Sequence, residues 1–294
     1  MFVPRKVLEE KLKQLLAEDV GQGDVTSATV VPSGLAVEAT VTAKEAGIAA
    51  GIEEIVILAE SLGLSVKTEV ADGEEVRKGR VIMKISGNAQ TILSAERTIL
   101  NLISRMSGIA TTTRRLTEKL RKANATAKIA ATRKTAPGLL YFDKKAVLIG
   151  GGDPHRLHLD DMILVKDNHI AIAGNVENAV KRAKQNASFS KKIEAEVTSV
   201  TDALKAAEAG ADIVMFDNFS PKQIKETIKS LKKAGFFGKI LLEISGGITE
   251  QNLLEYASTQ VNIISMGALT HSVQALDVSL EITRVSNKKK RSAE

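Results

Sequence analysis

Between Thr132 and His169 the chain gathers six cations and three of its four histidines into short polar knots. Thr132, Arg133 and Lys134 stand in TRKT, Lys144 and Lys145 in FDKK, His155 and Arg156 in GGGDPHR, and Lys166 and His169 in KDNH, with His158 between the last two. At least two of the knots follow apolar runs, as loops at strand ends do. Holding several cations together in a protein interior without an anion costs several kcal/mol per ion. The pattern therefore calls for a small, multiply charged anion as ligand.

The opposite charge comes later in the chain. Alternation along EAEV sets Glu194 and Glu196 on one side of a strand, and FDN adds Asp217. Two readings stay open: counter-ions to the lysines, or hard oxygen ligands for Mg²⁺ completed by phosphate oxygens. Ser245-Gly246-Gly247 and Met266-Gly267-Ala268 follow two further apolar runs. Glycines there suit tight turns, or a phosphate held by backbone N–H groups and the start of the next helix. His271 could bind, exchange a proton or cap a helix, and no histidine spacing suggests zinc. Read alone, these residues describe a Mg²⁺-dependent barrel enzyme acting on a phosphorylated sugar and a carboxylate-bearing second substrate.

Elements of two kinds must position them. Residues 4–18 and 51–62 have helical apolar spacing, Val37 to Ala43 and Val81 to Ile85 alternate as strands, and Asp72-Gly73 marks a turn. A helix is expected from Ala89 to about Met106, with Gly108 separating it from another at about 112–122. Arg97 lies there, on a second partly apolar face with Leu93, Leu100 and Asn101, which suggests two packing partners, one of them a second subunit. Then strands at 126–131, 161–166, 192–197, 212–216, 239–244 and 261–265 alternate with helices, which argues for a parallel sheet. Six strands fall short of the closed eight-stranded barrel, so an incomplete barrel is expected. Ser220, Pro221 and Gly235 bound one helix, and Thr249 is expected to cap the next. The strictly alternating 275–282 reads as a strand returning to the first domain's sheet.

The 294 residues suffice for one barrel-sized domain or two domains. The absence of cysteine excludes disulfides, thiolate nucleophiles and zinc–sulfur sites. No apolar run reaches the ~18 residues of a membrane span, and MFVPRKVLEEKLK lacks the pattern of a signal peptide, so a cytoplasmic protein with no membrane partner is expected. Part of the net charge of +6 is the KKKR stretch at residues 288–291. With seven Phe, two Tyr and no Trp there is no aromatic platform for bases, so the tail reads as solvated chain and nucleic acid is not an expected partner. A silent sensor of a phosphorylated metabolite would need neither both carboxylates nor the full cation set.

EDVGQGDVTS, AERTILNL, SGIAT, TRKTAPG, GGGDPHR, KDNH, EAEV, FDN, SGGIT and GALTHS, in this order over about residues 18–283, resemble the quinolinate phosphoribosyltransferase family. The resemblance implies an α/β fold: an N-terminal α/β sandwich domain, residues 1–108 completed by about 275–285, and an incomplete, open β/α barrel at 109–274, with 286–294 as a flexible tail. It implies a pentosyltransferase of NAD biosynthesis, with Mg²⁺ as cofactor, that joins quinolinate to 5-phosphoribosyl-1-pyrophosphate and releases nicotinate mononucleotide, pyrophosphate and CO₂. It also implies a homodimer, or a higher multiple of dimers, with active sites at the subunit interface.

By motif, Arg133, His155, Arg156 and Lys166 would surround the two carboxylates of quinolinate, with Arg97 entering from the neighbouring subunit and Thr132 a further substrate-binding residue. Lys134 and Lys166 would hold pyrophosphate and, with Glu196 and Asp217 at the Mg²⁺ and ribose positions, form the catalytic set. Ser245, Gly246, Gly247, Met266, Gly267 and Ala268 match the loops for the sugar phosphate, with His271 nearby. Leu140 stands where many relatives have arginine, so no contact is assigned to it. Lys144, Lys145, His158 and His169 are expected to take no direct part in the chemistry.

Overall fold

A computed structural model describes residues 3–286, so the KKKR stretch lies outside the described residues. In chain order the first elements are α1 (Arg5–Val20), α2 (Val25–Val30), β1 (Ala36–Ala43), β2 (Gly47–Ile48), α3 (Ile52–Ser61), β3 (Ser65–Thr68), β4 (Glu75–Val76), β5 (Val81–Asn88) and α4 (Ala89–Lys122). Then follow β6 (Lys128–Ala130), α5 (Leu140–Ile149), β7 (Ile163–Val165), α6 (Asp167–Ala173), α7 (Val176–Asn186), β8 (Ile193–Val197), α8 (Val200–Glu208) and β9 (Ile213–Asp217). The last are α9 (Pro221–Lys233), β10 (Leu241–Ser245), α10 (Leu253–Ala257), β11 (Ile263–Ser265), α11 (Ala268–His271) and β12 (Val278–Ser286). They form two compact units, one of residues up to Thr111 together with those from Val273 onward, the other Thr112–Ser272.

The first unit is built on an antiparallel sheet of order β12-β1-β5-β3. Alternation in AVEATVTA buries Val37, Ala39, Val41 and Ala43, and the same period in β5 buries Met83 and Ile85. The closing strand pairs antiparallel with β1 from Ala36↔Ser286 to Ala43↔Val278, so the C-terminal strand does return to the first sheet. Helix α1 packs its buried Leu8 and Leu12 on α3.

Gly108 does not separate two helices: α4 is continuous through it. A Cβ there would stand 2.0 Å from the carbonyl oxygen of Gln274, so this glycine permits a close approach of backbone to helix. Local propensity reads such a residue as a break because the approaching strand leader is 166 positions away, from residue 108 to residue 274. Along α4, Ile92, Ile99, Ile103 and Met106 are fully buried, Leu100 is buried and Leu93 half-buried, whereas Arg97 and Asn101 are exposed.

The second unit is a six-stranded parallel sheet of order β6-β11-β10-β9-β8-β7. Among the described residues β6 and β7 do not pair, so the sheet is an open one. Ile193, Ala195 and Val197 of β8 and Val214 and Phe216 of β9 are buried, with α7 and α8 packed on these strands. Each of the larger of these side chains, Ile193, Val197, Val214 and Phe216, stabilises the layer by about 1.5–3 kcal/mol. The alternate positions of β8 to β10, Glu194, Glu196, Met215, Asp217, Glu243 and Ser245, face the interior of the open barrel, as the period of two requires. Helix α9 has the expected boundaries: Ser220 Oγ accepts the N–H of Gln223, and Gly235 lies just past the end. Thr249 Oγ1 accepts the N–H of Asn252 at 3.4 Å, as a cap does, but one turn ahead of the helix. The N–H of Thr249 donates to Asn252 Oδ1 in a turn, and α10 starts only after Asn252.

Candidate active site

At the C-terminal ends of these strands is a cleft of about 480 Å³. Its walls are strand ends and loops beside them. The loop after β6 brings Thr132, Arg133 and Lys134, Lys166 directly follows β7, β8 gives Glu196, β9 Asp217 with Asn218 just beyond its end, β10 Glu243 and Ser245, and β11 Ser265. The loop after α5 adds His155 and Arg156, tied to the sheet where Asp153 bridges to Ala130. A larger cavity of about 820 Å³ opens at the opposite strand ends and shares only His155 and Arg156 with the cleft. Parallel α/β barrels carry their chemistry at the C-terminal ends, and the converging charges lie there.

The charges are unevenly paired. Lys166 Nζ donates to Glu196 Oε2 at 2.7 Å, and its backbone N–H donates to His169 Nδ1 at 3.0 Å, so His169 steadies the start of α6. Among the described residues Arg133, Lys134 and Arg156 form no ion pair. Burial, and then the like charge of Arg133, pulls Arg156 below its ordinary value, so each guanidinium feels the other.

Below the cations is a buried acidic floor. His155 Nε2 lies 3.1 Å from Glu243 Oε2 and 3.6 Å from Glu194 Oε2, and both carboxylates are fully buried. Ser265 donates to Glu243 Oε1 at 2.6 Å, whereas neither oxygen of Glu194 has a hydrogen-bond partner. Burial works against a charged His155, but the hydrogen bond and charge of Glu243, with Glu194 behind, outweigh it and raise the imidazole. Burial, reinforced by Glu243, holds Glu194 far above the usual carboxylate range, at about 8. Folded protein thus keeps a proton on Glu194 that unfolded chain has released between 4.5 and about 8, and stability falls as pH rises through that window. Glu194→Gln, neutral at every pH, is expected to melt a few degrees above the parent protein near pH 8, an advantage that shrinks toward about pH 5. Melting curves of the two proteins that stay parallel across the range would contradict this.

Gly246 follows β10 at φ 94°, and a Cβ there would fall 2.2 Å from Asn218 Oδ1, so glycine is required beside Asn218. Gly247, also left-handed at φ 61°, is next in the loop. Met266 donates its N–H to the carbonyl of Ala130 at 2.9 Å, while Gly267 abuts both Lys134 and His271. Ala268 and His271 are the first and last residues of α11, and His271 Nδ1 is 2.6 Å from Ser272 Oγ. These six do not border the cleft itself. Arg97 belongs to the first unit and is exposed on α4. Leu140 is the first residue of α5.

Glu243 and Ser265 carry no role in the sequence reading, whereas Asn218 follows its strand to the cleft as Asp217 does. Alternation through LLEIS puts Glu243 on the same side as Ser245, which was the available signal for it.

An open parallel barrel with unpaired guanidinium and ammonium groups set opposite two carboxylates at its strand ends defines an α/β-barrel enzyme for polyanionic substrates. The comparisons narrow this class. Residues 109–281 match the family model "Quinolinate phosphoribosyl transferase, C-terminal domain" and residues 24–107 its N-terminal counterpart. The "Probable nicotinate-nucleotide pyrophosphorylase [carboxylating]" of Methanothermobacter thermautotrophicus is 46% identical over 271 residues, covering 92% of this chain and 97% of that one. The protein of the same description from Methanocaldococcus jannaschii is 48% identical over 277 residues, covering 93% and 96%. The solved nicotinate-nucleotide pyrophosphorylase from Francisella tularensis superposes with a TM-score of 0.86 at 35% identity, covering 97% of this chain and 98% of that one. The chain belongs to the quinolinate phosphoribosyl transferase family.

Proposed function

We propose that this protein transfers the phosphoribosyl group of 5-phosphoribosyl-1-pyrophosphate to quinolinate and releases nicotinate mononucleotide, pyrophosphate and CO₂, a step of NAD biosynthesis. The observation that carries the reading is the set of cations Arg133, Lys134 and Arg156, which converge on one cleft without ion-pair partners among the described residues. Two substrates that together bring carboxylates and phosphates supply the missing charge.

Quinolinate's two carboxylates suit Arg133 and Arg156, whose planar forks pair with carboxylates in bidentate fashion. His155 has Nε2 committed to Glu243, which leaves Nδ1 for the cleft and fixes the ring's orientation. Lys134 and Lys166 suit the pyrophosphate, and the Ser245–Gly247 and Met266–Ala268 loops, with His271, suit the sugar phosphate.

Glu196 and Asp217 have the donor chemistry for Mg²⁺. Glu196 engages Lys166 through Oε2 alone, and Asp217 accepts only from Asn218 Nδ2, at 3.0 Å, so both keep free oxygens among the described residues. Mg²⁺ held there together with phosphate oxygens would neutralise the charge of departing pyrophosphate.

The chain's own work is then electrostatic. Lys134 and Lys166 stabilise the leaving group as C1 of the ribose becomes oxocarbenium-like, and the arginines hold the quinolinate nitrogen toward C1. Once that nitrogen is alkylated it is positive. It then stabilises the electron pair left on the adjacent ring carbon when CO₂ departs, and that carbon takes up a proton. No Schiff base is needed. We further propose a homodimer in which Arg97 of one protomer completes its partner's site, using the exposed side of α4 that carries Arg97 and Asn101. Incubation with both substrates and Mg²⁺, read for nucleotide and CO₂, tests the reaction.

A further inference from the structure

Lys144 lies outside every role assigned so far, yet it is fully buried on α5. Its Nζ donates to the carbonyl of Pro154 and, at 3.1 Å, to the carbonyl of Arg156, the residues on either side of His155. His155 stands at φ 53°, a left-handed conformation that is uncommon for any residue with a side chain. Asp153 helps to hold it: its Oδ1 accepts the N–H of His155 at 2.7 Å. Asp153 is itself fixed to β6, donating to Ile129 O at 2.8 Å and accepting from Ala131 N–H at 3.0 Å. The turn is thus pinned to the sheet at Asp153 and to α5 at Lys144.

An ammonium is a costly group to bury here. No carboxylate lies within ion-pair distance of Lys144 among the described residues. Burial, opposed by Asp153 and reinforced by Arg133 and Arg156, pulls it down to about 8. A methionine would fill the same space without that cost. What only the ammonium contributes is a pair of donors aimed at the two carbonyls that flank His155.

We propose that Lys144 is a positioning residue for the dicarboxylate substrate: by clamping the carbonyls of Pro154 and Arg156 it fixes the turn that presents the His155 and Arg156 side chains to the cleft. It touches no substrate, and the identity of the ligand rests on the function proposed above.

Two variants separate this role from a merely structural one. Lys144→Met keeps the volume and loses both donors, while Lys144→Gln keeps a polar group whose amide nitrogen falls one bond short of Nζ. In each, the KM for quinolinate is expected to rise about tenfold or more while that for phosphoribosyl pyrophosphate stays within about twofold. Hydrogen exchange across residues 150–158 should accelerate, with the melting temperature within about 5 °C of the parent protein. Unchanged quinolinate KM and unchanged local exchange in a folded variant would overturn the proposal. So would a proportional rise in both KM values together with a large loss of stability, or failure of both variants to fold. If only the methionine variant fails to fold, the glutamine variant decides on the same criteria. Should the parent protein not use quinolinate at all, the proposed function fails, and the exchange measurement still decides whether the clamp exists.

Discussion

Arg133→Ala is expected to lower kcat/KM for quinolinate by roughly a hundred- to a thousandfold while leaving the fold intact. Arg133 is exposed at the cleft, forms no ion pair among the described residues and fills no core volume, so its removal costs the folded state little. The same change relieves the like-charge pressure that lowers Arg156. The loss belongs to the complex: a bidentate partner of a carboxylate disappears, with about 1.5–3 kcal/mol at stake for each charge-assisted hydrogen bond. Arg133→Lys should recover only part of the activity, because a point charge cannot reproduce the fork. The check is steady-state kinetics with each substrate varied in turn. Wild-type kinetics in Arg133→Ala would remove Arg133 from the site.

The second large effect is expected at Arg97. In the proposed shared site Arg97→Ala disables both sites of a dimer, and so does Lys134→Ala, each through a different protomer's contribution. Mixed in equal amounts and allowed to exchange subunits, the two inactive proteins should recover about a quarter of the wild-type activity, because half of the dimers are mixed and each of those has one intact site. Activity is measured before and after exchange, with exchange itself followed by differently tagged subunits. Proven exchange without recovery would show that Arg97 does not serve a neighbour's site.

How far these residues could be read without coordinates depended on whether their meaning was local. Arg133, Lys134, Lys166 and Asp217 follow apolar runs, so their place at strand ends was legible, and alternation along EAEV gave the side of Glu196. Six strands in an unclosed parallel sheet were legible from the same rhythm. Glu243 was not, because its importance arises only when the strand order brings it against His155, 88 residues away in the chain. Gly108 was misread for the same kind of reason: the backbone it admits belongs to a distant segment, and propensity alone marks it as a helix break. Thr249 has the chemistry of a cap, but the turn through Asn252 delays the helix. Lys144 shows a further limit. Nothing in FDKK distinguishes a solvated lysine from one sealed under a loop, and only its burial and its two carbonyl partners give it a role.

The proposed reaction seats a dicarboxylate on these cations and decarboxylates it once it is glycosylated. It is tested most directly by incubating the protein with phosphoribosyl pyrophosphate, Mg²⁺ and quinolinate labelled in the carboxylate next to the ring nitrogen, with nicotinate in a parallel reaction. The expected result is labelled CO₂ and nicotinate mononucleotide in equal amounts, with nicotinate a poor substitute because it leaves part of the cation set unpaired. Nucleotide formation from nicotinate at a rate matching quinolinate, or consumption of quinolinate without labelled CO₂, would contradict it.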